Sequence, residues 1–290
     1  MKSIIKLIRV KHWVKNLFIF IPAFFAGVLF DPENILPLFI GFFCFSLVAS
    51  AIYVINDYRD IEQDRNHPEK KNRPLASGAV SPAVGAVIMV SFLIIGLGLS
   101  YYVSLNFFLV LSLYFVLNLG YSLGLKNVSI LDIMIVASGF LLRTIAGGII
   151  IQVSVSQWLL IMVFLLALFL ALSKRLDDLI VSEQEGKISR KIVKHYNLSF
   201  VHSGIAMIAG IIMVSYIMYT ISDEVKDRLH SEHLYFTAIF VIAGLLRYLQ
   251  ITLVEQRSGS PTKIFLSDRF IFVTLFGWAA SFFILIYLNR

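Results

Sequence analysis

Nine apolar segments, each about as long as a lipid bilayer is thick, constrain this chain more than any other feature. A transmembrane α-helix needs about 20 predominantly apolar residues. Segments of this kind lie near residues 13–30, 34–55, 80–99, 103–122, 129–150, 157–173, 199–221, 233–254 and 268–288. Lipid offers no hydrogen bonds to the backbone, so such segments must fold as helices. The sequence therefore predicts an all-α integral membrane protein with nine transmembrane helices in one bundle.

The overall composition agrees with the membrane class. Apolar residues make up 58% of the 290 residues and the mean hydropathy is +0.83, whereas soluble domains contain about 45–50% apolar residues. No linker or low-complexity segment interrupts the chain, which predicts one domain over residues 1–290. The single cysteine, Cys44, falls inside the second span and so excludes an internal disulfide.

The charge distribution predicts the topology. With the N-terminus in the cytoplasm and the spans alternating, most Lys and Arg residues of this chain of net charge +7 fall on the cytoplasmic side. The opposite side holds only Lys226, Arg228 and Arg290, while Arg143 and Arg247 fall within spans. This bias follows the positive-inside rule. We therefore expect a multi-pass protein of the inner (cytoplasmic) membrane, with its active site on the cytoplasmic side and no nucleic-acid partner.

The longest connections between spans are cytoplasmic, at residues 56–79 and 174–198. Both mix acidic and basic side chains and directly follow apolar spans. Charged loops on one face of a helical bundle are where a polar site can be assembled. We therefore expect these two loops to form the functional site.

The first loop opens with a motif of oxygen donors. Asn56, Asp60 and Asp64 are spaced i, i+4, i+8, so a continuing helix stacks them on one face. Such donors suit Mg²⁺, which takes a few carboxylates and completes its shell with water and substrate phosphate. Lys70 and Arg73 follow and are expected to bind an anionic substrate. The alternative is a solvated loop of balanced charge, which does not require this helical register.

The second loop begins with Lys174 and Arg175, followed by Asp177 and Asp178. Arg and Lys suit phosphate oxygens, the first as a bidentate fork and the second as a point charge. On a helix, Asp178 shares a face with both cations, so local ion pairs at an ordinary membrane-end cluster are the alternative. We assign Lys174 and Arg175 catalytic roles, and Asp178 a role in substrate binding.

Three weaker sets of candidates for substrate binding lie elsewhere. Lys15 and Asn16 open the first span, where Lys is also an ordinary interfacial anchor. Lys126 lies at the cytoplasmic end of the fourth span. Arg143 lies within the fifth span, where a guanidinium is costly unless it faces a cavity or a partner.

Taken together, these residues resemble a known family. The pattern Asn-Asp-x-x-Asp-x-x-x-Asp after an apolar helix resembles the UbiA-type intramembrane prenyltransferase superfamily, and the rest of the chain is similar to its decaprenyl-phosphate phosphoribosyltransferase branch. The likeness is carried by Trp13 to Asn16, Asn56 to Asp64, His67-Pro68, Lys70, Arg73-Pro74, Leu131 to Ile133, Arg143 to Gly148, Ser156 to Trp158, Lys174-Arg175, Ser260-Pro261 and Asp268-Arg269.

This resemblance implies helices around a central cavity and a Mg²⁺ ion at Asn56, Asp60 and Asp64. It implies transfer of 5-phosphoribose from phosphoribosyl pyrophosphate to a polyprenyl phosphate, with Asp60 and Asp64 among the catalytic residues. One departure keeps an alternative open. Prenyltransferases that cleave isoprenyl diphosphates typically carry a second Asp-x-x-x-Asp motif, whereas this chain has Lys174-Arg175 followed by two Asp residues.

Two alternative functions therefore remain. One is a prenyltransferase that moves an isoprenyl group from its diphosphate to an aromatic or other small acceptor. The other is a lipid or anion transporter, which predicts charges spread through the spans rather than gathered at one end. Small residues such as Gly96 and Gly98 allow close helix packing, which leaves a homo-oligomer open.

Overall fold

The computed structural model describes residues 2–67, 70–185, 195–229, 231–255, 264 and 267–288. The α-helices, in chain order, are α1 Lys2–Leu7, α2 Ile21–Phe25, α3 Pro32–Arg59, α4 Ile61–Arg65, α5 Pro82–Val103, α6 Leu105–Leu123, α7 Leu131–Ile150, α8 Gln157–Glu185, α9 Leu198–Ile221, α10 Asp223–Leu229, α11 Ala238–Leu249 and α12 Arg269–Phe283. Segments of 3₁₀ helix are Val10–Phe20, Lys70–Asn72, Leu125–Asn127 and Leu234–Thr237, and π-helical turns are Gln250–Val254 and Ile284–Leu288. The described residues contain no strand, which confirms the all-α prediction.

Eight helical stretches of the described chain are long and apolar enough to cross a bilayer. They are Pro32–Arg59, Pro82–Val103, Leu105–Leu123, Leu131–Ile150, Gln157–Ser182, Leu198–Ile221, Leu234–Val254 and Arg269–Leu288. Each coincides with one of the predicted spans. The protein is therefore a multi-span membrane protein.

The first predicted span, residues 13–30, has a different structure. The eleven residues Val10–Phe20 form a 3₁₀ helix, and α2 adds only the five residues Ile21–Phe25. Pro22 lies in the first turn of α2. Proline is favourable there because N–H groups of the first turn have no partner within the helix, and its fixed φ marks the start of a new helix. Gly27, at φ 74, then turns the chain. A crossing by this segment, and with it the ninth helix, stays a prediction.

The described residues group into two compact units. The first contains residues 1–125 and 142–154. Helix α3 packs against α5 and the 3₁₀ segment packs against α3. Phe45, Phe107 and Leu111 lie fully buried in its core. This packing fixes the end of α3, from which the first loop starts.

The second unit contains residues 126–141 and 155–290. Helix α8 packs against α9, and α11 packs against α12. Leu172, Leu176 and Leu179 are buried in its core. Arg175 lies three residues after Leu172 and four before Leu179, so helical periodicity places it on the buried face of α8. The single domain predicted from the sequence stays a prediction.

Candidate functional site

The first motif spans the junction between α3 and α4, and two i, i+4 backbone hydrogen bonds cross it. Asp60 N–H donates to the carbonyl of Asn56 over 3.1 Å, and Asp64 N–H donates to the carbonyl of Asp60 over 2.7 Å. Asp60 itself, at φ −96 and ψ 11, joins α3 to α4. The single continuing helix expected from the spacing is therefore interrupted at Asp60, although i, i+4 hydrogen bonds still join Asn56 to Asp60 and Asp60 to Asp64.

An ion-pair network lies beside this motif in the first unit. Asp57 is 2% exposed and accepts hydrogen bonds from Arg9 at 2.7 Å and Arg73 at 3.1 Å. The same Arg73 guanidinium nitrogen donates to Asp64 at 2.7 Å. Arg9 also stacks over the ring of Tyr53, 4.6 Å from its centroid. Arg73 thus bridges two buried carboxylates, a role that the sequence did not reveal.

The donor set of the motif fits a magnesium ion. Within the described part of the chain, the side chains of Asn56 and Asp60 make no hydrogen bond, and Asp64 gives one oxygen to Arg73. All three are hard oxygen donors, the type that Mg²⁺ prefers, and few enough to leave room for water and phosphate. No group of three His, Cys, Asp or Glu side chains that could hold a metal occurs among the described residues. A metal at this motif therefore depends on the amide of Asn56 and on non-protein ligands.

Arg143 is buried in the first unit at 5% exposure. Its Nε donates to Asn16 Oδ1 at 2.6 Å and one of its terminal nitrogens donates to the Tyr114 hydroxyl at 2.8 Å. Its guanidinium also lies over the rings of Tyr114 and Phe45. Asn16 in turn donates to Ser46 on α3 at 2.9 Å. Two predicted substrate-binding residues, Asn16 and Arg143, are thus in direct contact.

Arg175 occupies a buried site in the second unit. Its Nε donates to Asp132 at 2.8 Å and its Nη1 donates to Asp178 at 2.6 Å. Asp132 is fully buried, and its other oxygen accepts a hydrogen bond from the Tyr196 hydroxyl at 2.8 Å. The local Arg175–Asp178 pair is the one expected from their spacing, but Asp132 lies 43 positions away in sequence. Arg175 is therefore held from two sides by carboxylates.

The remaining predicted cations are more accessible. Lys15, Lys70 and Lys174 are exposed, and Lys126 is half-buried in the turn Leu125–Asn127. Lys15 lies next to the buried Asn16, and Lys174 lies next to the buried Arg175. Exposure leaves an ammonium group able to meet a ligand from solvent. Residues 68–69 and 186–194 of the two predicted loops, and Ser260-Pro261, lie outside the described residues.

Several residues of these networks were absent from the predicted site, among them Arg9, Asp57, Tyr114, Asp132 and Tyr196. Asp57 lies inside the motif but off the face that carries Asn56, Asp60 and Asp64, so only its burial distinguishes it. Tyr196 carries no local signal at all. Burial, helped by the hydrogen bond that it donates to Asp132, raises the pKa of Tyr196 even though the Ile130 N–H opposes this change. The phenol therefore stays protonated and remains a donor.

Comparisons with known proteins agree with the family resemblance that the sequence motifs indicate. Residues 17–276 match the UbiA prenyltransferase family. The chain is 31% identical over 289 residues to the decaprenyl-phosphate phosphoribosyltransferase of Mycolicibacterium smegmatis, a match that covers 96% of this chain and 91% of that protein. It is 30% identical over 290 residues to the enzyme of the same name from Corynebacterium glutamicum, covering 99% and 87%.

A solved structure has the same fold. A UbiA homologue from Archaeoglobus fulgidus, bound to GPP and Mg²⁺, matches with a TM-score of 0.70 at 18% identity, covering 98% of this chain and 99% of that one. The predicted resemblance and the prediction of an enzyme are therefore confirmed: the protein is a membrane-embedded transferase. With its family model matched over most of its length, the chain belongs to the UbiA prenyltransferase family.

Proposed function

We propose that this enzyme transfers 5-phosphoribose from phosphoribosyl pyrophosphate to a polyprenyl phosphate and releases pyrophosphate. An oxygen of the lipid phosphate forms the new bond to C1 of the ribose as the bond from C1 to the pyrophosphate oxygen breaks. The lipid phosphate is largely ionised near neutral pH because its second pKa is about 6. No general base is then required.

One observation carries the choice of donor: in α8 the exposed Lys174 precedes Asp178, and Asp178 is engaged by the buried Arg175. Asp178 is bonded to Arg175 at 2.6 Å, and Arg175 is bonded to Asp132 on its other side. Lys174 stands four residues before Asp178, where the first motif has Asp60 four residues before Asp64, so Asp178 lacks the i, i+4 carboxylate partner that a second metal site of this kind needs. The near full-length relatives named decaprenyl-phosphate phosphoribosyltransferase support the same choice.

The roles we propose follow the chemistry of each group. Asn56, Asp60 and Asp64 would hold Mg²⁺, which when bound neutralises charge that develops on a departing pyrophosphate. Arg73 is anchored by Asp57 and brings a guanidinium next to Asp64, where it offers its remaining donors to a phosphate. Lys70, Lys126 and Lys174 supply point charges for phosphate oxygens. Preorganised cations stabilise a transition state without reorganising at the moment of reaction.

The alternative is transfer of an isoprenyl group from its diphosphate to an aromatic or other small acceptor. It shares the metal-binding motif, and the solved homologue with this fold was bound to GPP. The deciding experiment supplies purified protein with Mg²⁺ and either labelled phosphoribosyl pyrophosphate plus polyprenyl phosphate, or geranyl diphosphate plus 4-hydroxybenzoate. We expect lipid-linked phosphoribose only. Prenylation of the aromatic acceptor without lipid-linked phosphoribose would refute the proposal.

The metal role has its own test in ligand-induced thermal stabilisation. Phosphoribosyl pyrophosphate with Mg²⁺ should raise the melting temperature of the wild type, and Asp60→Asn should remove the Mg²⁺-dependent part. Glu62→Gln is the matched control, because Glu62 is exposed in the same segment and its side chain makes no hydrogen bond or ion pair among the described residues. Unchanged Mg²⁺-dependent stabilisation in Asp60→Asn would contradict the role given to Asp60.

We also propose that the polar loops face the cytoplasm of the inner membrane, where a soluble sugar diphosphate is available. The positive-inside distribution of Lys and Arg supports this orientation. A cysteine placed at Glu62 in a Cys44→Ser background should react with a membrane-impermeant maleimide in inside-out vesicles but not in intact cells. The reverse pattern would invert the topology.

A further inference from the structure

A chain of hydrogen bonds in the second unit links three segments that are far apart in sequence. The Ile130 N–H donates to the Tyr196 hydroxyl at 2.8 Å, and this hydroxyl donates to Asp132 Oδ1, also at 2.8 Å. The second oxygen of Asp132 accepts from Arg175 Nε. One hydroxyl group therefore connects the loop before α7, the start of α9 and the buried guanidinium of α8.

These groups are shielded from water. Asp132 is 0% exposed, Arg175 4% and Tyr196 6%. In such surroundings hydrogen bonds are electrostatically strong, and a polar group left without a partner is correspondingly unfavourable. The hydroxyl of Tyr196 uses its proton on Asp132 and a lone pair on Ile130, so its known contacts are all internal to the protein.

The backbone at Ile130 needs such support. Ile130 has φ 68, in the left-handed region that β-branched residues rarely adopt. Residues in this region persist only when their surroundings hold them there. The hydrogen bond from Ile130 N–H to Tyr196 is one such restraint. The same loop follows directly after the turn that carries Lys126.

We propose that Tyr196 is a positioning residue for the transferase reaction. Its hydroxyl fixes the loop next to Lys126, and it fixes the Asp132 carboxylate that orients Arg175. The inference rests on the proposed function in assigning Lys126 to phosphate binding, and on the catalytic role that the sequence predicts for Arg175. It adds a residue to the site that neither the motif nor the helical register indicates.

The test compares two buried tyrosines of the second unit. Tyr216 also has a buried hydroxyl with two partners, Thr237 at 2.6 Å and Trp278 Nε1 at 2.7 Å. It lies on α9, about 27 Å along the helix from the end near Tyr196. Tyr196→Phe and Tyr216→Phe therefore remove equivalent groups at opposite ends of one helix.

We expect both variants to lower the melting temperature to a similar extent, because each loses one buried hydroxyl. Only Tyr196→Phe should raise KM for the donor, by about tenfold if one charge-assisted hydrogen bond is lost, with kcat within about twofold. Groups that bind ground state and transition state alike act on KM in this way. Equal KM values for the two variants would overturn the inference.

A second variant tests the route through the loop. Glycine adopts positive φ without strain, so Ile130→Gly reduces the dependence of the loop on Tyr196. The effect of Tyr196→Phe on KM should be smaller in the Ile130→Gly background than in the wild type. An effect of equal size would show that the two residues act independently and would contradict the inference. If Tyr196→Phe alone does not fold, the double variant is compared with Ile130→Gly. KM for the donor should still rise about threefold or more on adding Tyr196→Phe, because the hydrogen bond to Asp132 is lost. No rise in KM would refute the role of Tyr196.

Failure of the proposed function is recognised separately. A wild-type enzyme that makes no lipid-linked phosphoribose refutes the donor assignment. The same variants are then measured with geranyl diphosphate as donor in Mg²⁺, where the KM difference between Tyr196→Phe and Tyr216→Phe is again expected. If the two variants have equal KM values for the donor that the wild type uses, the role of Tyr196 is refuted while the donor assignment is judged separately.

Discussion

Gly147 marks the closest approach between α7 and the 3₁₀ segment of the first unit. A Cβ atom at this position would overlap the carbonyl oxygen of Ile19 and would lie 2.9 Å from its carbonyl carbon and 3.2 Å from its Cα. These are backbone atoms and cannot rotate away. Non-bonded carbon atoms prefer about 3.5–4.0 Å, so Gly147→Ala must separate the two segments by about 1 Å.

That separation reaches the candidate site. Arg143 lies one helical turn before Gly147 on the same face of α7, and its Nε donates to Asn16 Oδ1 at 2.6 Å. A shift of about 1 Å takes this hydrogen bond beyond the usual limit of about 3.2 Å. Overpacking typically costs about 1–3 kcal/mol and loss of a hydrogen bond to a charged group about 1.5–3 kcal/mol, which together give about 2.5–6 kcal/mol.

Reversible unfolding in detergent measures this loss, and Gly98→Ala is the matched control. Gly98 lies inside α5, and a Cβ there meets nothing within 4 Å. Alanine at such a helix position should stabilise by about 0.5–1 kcal/mol. The two identical substitutions are therefore expected to have opposite signs. If Gly147→Ala is as stable as Gly98→Ala, the close packing of α7 on the 3₁₀ segment, and the reasoning built on it, is wrong.

Two further predictions concern carboxylates. Asp57→Asn should destabilise the protein by about 1–3 kcal/mol and should keep the Mg²⁺-dependent thermal stabilisation. This cost is below the range for fully buried ion pairs because the side chains of Arg9 and Arg73 are 24% and 27% exposed. A melting temperature equal to that of Glu62→Gln would contradict the prediction. The hydrogen bonds from Arg247 hold the pKa of Asp268 below its ordinary value of 3.8, so its stabilising contribution is present above that pH and is lost as the pH falls through the lowered pKa. Asp268→Asn, which keeps the cap on α12, should therefore melt below the wild type at pH 7 and approach it under strongly acidic conditions; a constant difference would refute this.

The spans were predictable because hydropathy and length are local properties. Eight predicted segments became helices of sufficient length, since lipid leaves an apolar backbone no other way to satisfy its hydrogen bonds. The same properties do not distinguish a 3₁₀ helix from an α-helix. Val10–Phe20 carries Lys11, His12, Lys15 and Asn16 and is less apolar than the spans, and it packs against α3 through contacts that the local sequence does not encode.

The candidate site likewise has features that the sequence predicts and features that it does not. The i, i+4 hydrogen bonds that join Asn56, Asp60 and Asp64 followed from their spacing, but the break between α3 and α4 at Asp60 did not. The partners of the buried cations did not, because they are distant in sequence. Arg143 is 127 positions from Asn16, and Arg175 is 43 from Asp132. Only tertiary packing brings these pairs together.

The extra carboxylate of the motif now has a physical explanation. A guanidinium that depended on Asp64 alone would lose its anchor whenever that carboxylate served as a metal ligand. Arg73 also bonds Asp57, which is 2% exposed and whose same Oδ1 atom accepts a hydrogen bond from Arg9. Because the Asp57 pair does not involve Asp64, Arg73 stays anchored whichever partner Asp64 takes. Asp57 therefore anchors Arg73, which leaves Asp60 and Asp64 for the proposed magnesium ion.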